Sequence, residues 1–138
     1  MTEAAKLKAW ARRLWDNYKL TPDMWQKIFD YQGGVCYICG RPEPVAGRRL
    51  AVDHSHLDGL IRGLLCSKCN PLLGKIENAF IRLGMHKMGL RLSQILTRLA
   101  RYGEEAPATK ALGSPVYGYA GRVGTKKHRK LLKKQRKA

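Results

Sequence analysis

The sequence predicts an α+β fold that is mostly helical: a small zinc-stapled ββα core, flanked by helices and followed by a basic tail. Three observations predict it. The only four cysteines form two C-x2-C pairs, Cys36/Cys39 and Cys66/Cys69, with 26 residues between the pairs. Two short β-type runs, Leu50-Ala-Val52 and Leu60-Ile-Arg-Gly-Leu-Leu65, lie inside that interval. Before and after the cysteines, apolar residues recur at helical spacing. The reading divides the chain into an N-terminal helical segment (1–24), a zinc-stapled domain with its following helices (25–102) and a basic, disordered tail (103–138).

The first helix is expected over 3–19, where Leu7, Ala11, Leu14 and Tyr18 make one apolar stripe widened by Trp10 and Trp15. Packing is the plain reading of that stripe, and stacking on nucleic-acid bases the sharper one. A second helix starts at Thr21-Pro22-Asp23, with Thr21 as cap, Pro22 as first residue and Asp23 on the positive helix end. Either Met24, Ile28 and Tyr31 or Trp25 and Phe29 face inward, and Gly33-Gly34 ends the helix. Arg41 to Arg49 is rich in Pro, Gly and Arg and reads as a surface loop. Val52 leads into Asp53-His54, Ser55 to Gly59 forms a turn, and the second run returns to Cys66. Asn70-Pro71 then signals a helix start, with Asn as cap. Leu72, Ile76, Phe80 and Leu83 continue it, Gly84 and Gly89 interrupt, and Leu92, Ile95, Leu96 and Leu99 mark another helix near 90–102. Beyond Gly103 the apolar period is lost, and residues 126–137 hold eight Lys/Arg among twelve. Such a segment buries too little to order itself.

The chain carries 27 Lys+Arg against 10 Asp+Glu, a net charge of +17. That excess favours a polyanion, with DNA the first candidate. The charge is split between core and tail: residues 103–138 carry ten of the basic side chains and two of the acidic ones. No apolar run reaches the ~20 residues of a membrane span, and the first residues lack a signal-peptide pattern. A cytoplasmic location without membrane partners is the expectation, and there paired cysteines are metal ligands more often than disulfides.

Two C-x2-C knuckles supply four thiolates at about 2.3 Å from a tetrahedral zinc. Such a site has no open position, so its role is structural. The interval exceeds the ~15–20 residues of common zinc ribbons, and the surplus is the hairpin that carries Asp53 and His54. Asp53 offers a hard oxygen suited to Mg²⁺, and His54 is a suitable general base near neutral pH. Asn70, drawn close because Cys69 shares the zinc, is a second oxygen donor or a helix cap. Turn residues are the plain reading of Asp53-His54-Ser55-His56. Arg62 either steadies a phosphate or is solvated.

Three stretches together carry a family resemblance: Gln32-Gly-Gly-Val-Cys-Tyr-Ile-Cys-Gly40, Leu50-Ala-Val-Asp-His-Ser-His-Leu-Asp-Gly59 and Arg62-Gly-Leu-Leu-Cys-Ser-Lys-Cys-Asn70. Over about residues 25–85 the chain resembles the phage recombination endonuclease VII family, within the broader HNH or His-Me finger nucleases. The resemblance implies a dimeric, zinc-stapled ββα-metal endonuclease that cuts branched DNA such as four-way (Holliday) junctions, in the host cytoplasm if phage-encoded. It implies Cys36, Cys39, Cys66 and Cys69 on zinc, Asp53 and Asn70 on Mg²⁺, His54 as base and His56 against a phosphate. Arg62 and the tail residues Lys126, Lys127, Arg129, Lys130, Lys133 and Lys134 are the expected DNA contacts. Two other readings use the same residues: a non-enzymatic zinc-ribbon DNA-binding protein, and an HNH nuclease acting on linear DNA.

Overall fold

The computed structural model describes all 138 residues, which fall into two compact units, 1–88 and 89–138. In the first unit, α1 spans Glu3–Tyr18 and α2 spans Pro22–Tyr31. Thr2 and Thr21 cap them, their hydroxyls accepting from the Ala5 and Met24 amides at 3.1 and 3.2 Å. Lys19 closes α1 in the left-handed region (φ 55°), and it is the only residue other than glycine there. Gly33, at φ 71°, follows α2 where a side chain would be strained.

The expected stripe on α1 is rotated. Leu14 is buried, Trp10 and Tyr18 pack against the core, and Leu7 and Trp15 are exposed. On α2 the core takes Trp25, with Ile28 and Phe29 beside it, while Met24 and Tyr31 face solvent. Trp10 meets Trp25 edge-on at 5.4 Å between ring centroids, and Trp25 stacks on Phe29 at 5.0 Å. Packing is therefore what Trp10 does.

The antiparallel hairpin comprises β1 (Ala51–His54) and β2 (Ile61–Leu65). Its core residues are Leu50, Val52, Leu64 and Leu65. The Trp25 indole N–H donates to the Leu50 carbonyl at 3.4 Å, fixing α2 to the start of the hairpin. Gln32 fixes it to the far strand. Its side-chain oxygen accepts from the Leu64 amide and its nitrogen donates to the Leu64 carbonyl, both at 2.9 Å, so one carboxamide completes the hydrogen bonds of that residue. A Cβ on Gly63 would lie 3.1 Å from the Gln32 oxygen, which is why the strand is bare there. Helix α3 (Cys69–Arg82) leads from the second cysteine pair into a short 3-10 turn at Met85–Met88.

The start of α3 corrects one expectation. The helix begins at Cys69 with Lys68 as its cap residue, and no side chain closes it. Asn70 is already inside, its amide donating to the Cys66 carbonyl at 3.0 Å. The cysteine turn, by setting the backbone of Cys66–Cys69, starts the helix two residues earlier than the Asn-Pro signal suggests.

The second unit contains α4 (Leu92–Glu104), α5 (Pro107–Leu112) and α6 (Lys126–Lys137), none with a fully buried residue. Residues 103–138, expected to form a disordered tail, carry α5 and α6 here. Thr125 caps α6 by accepting from the His128 amide at 3.2 Å, and Tyr119 stacks on His128 at 4.3 Å. These local contacts escape a search for apolar period.

Candidate active site and metal centre

The four cysteine sulfurs lie within 4.8 Å of one another, with Cys39 and Cys66 3.9 Å apart. A zinc bound at about 2.3 Å would place tetrahedral sulfurs about 3.8 Å from each other, so the cluster can hold a metal and suits structural zinc. Its turns are fixed by the backbone: the Gly40 amide donates to the Cys36 carbonyl, and the Cys36 amide to that of Arg41, both at 2.9 Å. The Tyr37 amide reaches the Leu64 carbonyl at 3.3 Å, tying the first knuckle to β2. Glu43 ties the loop to the second knuckle, accepting from the Ser67 hydroxyl at 2.6 Å and its amide at 2.8 Å. Burial pushes the Cys69 thiol up to about 12, and its sulfur neighbours add to this. Burial also acts against the Cys36 thiolate, but amides at Cys39, Cys66 and Ile38 outweigh it and bring that group down to about 6. Zinc would replace this unequal sharing of protons with four thiolates.

Asp53 and His54 are adjacent on β1, and each serves a different environment. The pairing register places Asp53 opposite Gly63 and His54 opposite Ile61, so Arg62 is the extra residue of a β-bulge. Bulges re-aim side chains, and this one sends the Arg62 guanidinium to Asp53. Nε donates to one carboxylate oxygen at 2.7 Å and Nη2 to the other at 3.0 Å. Asp53 is 9 % exposed, the one buried charged residue of the protein. Arg62 also bonds Glu77 of α3 at 3.0 Å, and these two carboxylates hold its proton even more firmly than usual.

The His54 ring lies 5.3 Å from Tyr18 of α1 and 4.9 Å from His56. The end of β1 and the turn that follows it thus carry a buried carboxylate and a histidine pair. Asn70 is half-buried and lines a cavity of about 410 Å³ with Arg48, Arg49 and Ser67. Asp53 lines a different one, of about 170 Å³, with Arg62 and Leu73. The structure therefore gathers the four cysteines, joins Asp53 to Arg62, and sets His54 beside His56, while Asp53 and Asn70 open onto separate cavities. Lys126, Lys127, Arg129, Lys130, Lys133 and Lys134 all lie on α6 in the second unit.

Gln32, Glu43 and Glu77 carry almost no local signal of their roles. Their partners lie 32, 24 and 15 residues away. The only local sign was Gln32 falling immediately before the Gly-Gly turn.

Residues 11–98 match the family model for recombination endonuclease VII. The Gene 59 protein of Mycobacterium phage D29 is 32 % identical over 109 residues, covering 78 % of this chain and 58 % of that protein. The Gene 59 protein of Mycobacterium phage L5 is 45 % identical over 62 residues, covering 45 % of this chain and 37 % of that one. The chain thus spans little more than half of one relative and over a third of the other. No helix is long and apolar enough to cross a membrane.

Proposed function

The chain belongs to the recombination endonuclease VII family, and from that membership we propose that it is a Mg²⁺-dependent DNA endonuclease of the HNH, ββα-metal type that resolves branched DNA. The observation that carries the reading is the placement of Asp53 and His54 side by side on the strand of a hairpin closed by four metal-ready cysteines.

His54 is the general base in this reading. It takes a proton from a water, which attacks the scissile phosphorus in line as the 3′ oxygen leaves, giving 5′-phosphate and 3′-hydroxyl ends. Its support is positional: Tyr18 and His56 flank the ring within about 5 Å. Asp53 and Asn70 would hold Mg²⁺. Each Asp53 oxygen accepts one Arg62 bond and keeps a lone pair, and the Asn70 carbonyl is a hard donor, so the donor chemistry suits the ion; because the two side chains line separate cavities, one of them must turn for both to reach it. When bound, Mg²⁺ neutralises charge developing on the phosphate and the leaving oxygen. His56 contacts a phosphate, Arg62 positions Asp53, and the α6 cations add sequence-independent affinity. Two copies act as a C2 homodimer, because a four-way junction needs two symmetric nicks. Leu96 and Leu99, exposed on α4, provide apolar surface for that association.

The Asp53–Arg62 pair favours one alternative, a DNA-binding zinc module in which Asp53 only holds the hairpin together. His54→Ala separates the two. A positioned base contributes about 10²–10⁴-fold, so single-turnover cleavage with Mg²⁺ should fall by that factor while DNA affinity is unchanged. Equal cleavage by mutant and wild type removes His54 from the mechanism.

A further inference from the structure

Between α1 and the 41–49 loop lies a groove of about 370 Å³ that the chemistry above does not use. Trp10, Arg13 and Asn17, spaced three and four residues apart, share one helix face and form one wall. Arg48 and Arg49 line the groove from the loop, and Tyr18 also borders it. None of the three arginines is in an ion pair; the four ion pairs of the protein use Lys6, Arg62 (twice) and Lys110. Arg49 lies over the Trp10 ring at 3.9 Å, which fixes its guanidinium plane at low entropic cost. The nearby carboxylate, Glu43, is already engaged by Ser67 and the Val45 amide.

The groove is connected to the proposed chemistry on two sides. Tyr18, which lines it, faces His54 at 5.3 Å. Arg48, Arg49 and Ala51 line both the groove and the cavity that holds Asn70. A polyanion seated in the groove would therefore lie against residues that neighbour both His54 and Asn70. Three cations outside any ion pair, one stacked on an indole and one, Arg48, within electrostatic reach of Glu43, suit successive phosphates of a nucleic-acid backbone.

We infer that this groove seats one strand of the DNA substrate and guides its backbone toward His54. The inference rests on the nuclease reading for the identity of its partner. It puts sequence-independent affinity in the first unit, apart from the basic helix α6.

The test is binding of a labelled four-way junction and the matching duplex by the full-length, zinc-loaded protein, in EDTA-free buffer without Mg²⁺, across a salt series. The variant is Arg13→Gln with Arg48→Gln, which leaves the Arg49–Trp10 stack in place. Removing two phosphate-neutralising cations should weaken binding about thirtyfold at 0.15 M salt and lower the slope of log affinity against log salt by about 1.8. Affinity within twofold of wild type, with the same slope, overturns the inference. If the double variant loses its zinc, a photo-crosslinking residue at Asn17 decides: a DNA adduct supports the groove, and its absence overturns it. No cleavage is needed in these measurements. Survival of cleavage in His54→Ala would therefore sink the catalytic reading while leaving the groove intact, and unchanged binding here would do the reverse.

Discussion

Side chains that are neighbours in the chain part company at the end of β1. Asp53 is locked by Arg62 on the side of α3, and His54 lies against α1. Asn70 is the residue whose role the structure narrows most. Inside α3 rather than at its cap, it should lose nothing as a helix former on truncation, since alanine is the better helix residue. Asn70→Ala should therefore keep the melting temperature of wild type and still lose most cleavage at limiting Mg²⁺. Normal cleavage in a folded Asn70→Ala protein would remove Asn70 as a ligand. The metal and base candidates were legible because their evidence is local: thiols at fixed spacing, and a carboxylate next to an imidazole. Arg62 was visible as a charge but not as a latch, because a bulge that re-aims it leaves no trace in residue order and Glu77 comes from another element.

Among the elements, the hairpin depends on its neighbours. Four- and five-residue strands form no independent sheet, and this pair is held by Trp25, by the Gln32 carboxamide and by the cysteine cluster. Structural zinc contributes folding free energy directly. One zinc per chain is expected, and Cys66→Ser, or chelation of wild type, should unfold the hairpin along with α3. Circular dichroism checks this, and native spectra from metal-free protein would contradict it. The helices and strands were read close to their observed bounds wherever caps and glycines punctuate them. The facing of α1 was not, because an amphipathic stripe with six apolar positions fits several rotations, and packing against Trp25 selects among them.

For the whole molecule, charge is the dominant property. Ten of the 27 Lys/Arg lie beyond Gly103, and eight of them lie on α6. Deleting residues 106–138 spares α4 and removes no ligand of either metal. The truncated protein should bind DNA more weakly, with a salt slope flatter by about 0.9 for each phosphate that α6 no longer neutralises, yet cleave at a near-normal rate when DNA is saturating. A collapse of that saturated rate in a folded truncation would make α6 part of the active assembly. The basic character of this region was plain from composition. Its helices were not, because Lys-rich sequence that buries nothing shows no apolar period, and a Thr cap with a Tyr–His stack supplies the order instead.

The central claim is that this hairpin, closed by four cysteines that could hold a metal, belongs to a metal-dependent nuclease for branched DNA. Single-turnover cleavage of a four-way junction and of a linear duplex of matching sequence, each with Mg²⁺ and with EDTA, tests it most directly. The account predicts paired nicks in the junction with Mg²⁺, far slower cleavage of the duplex, and none of either in EDTA. Junction binding without cleavage at any Mg²⁺ concentration would contradict it.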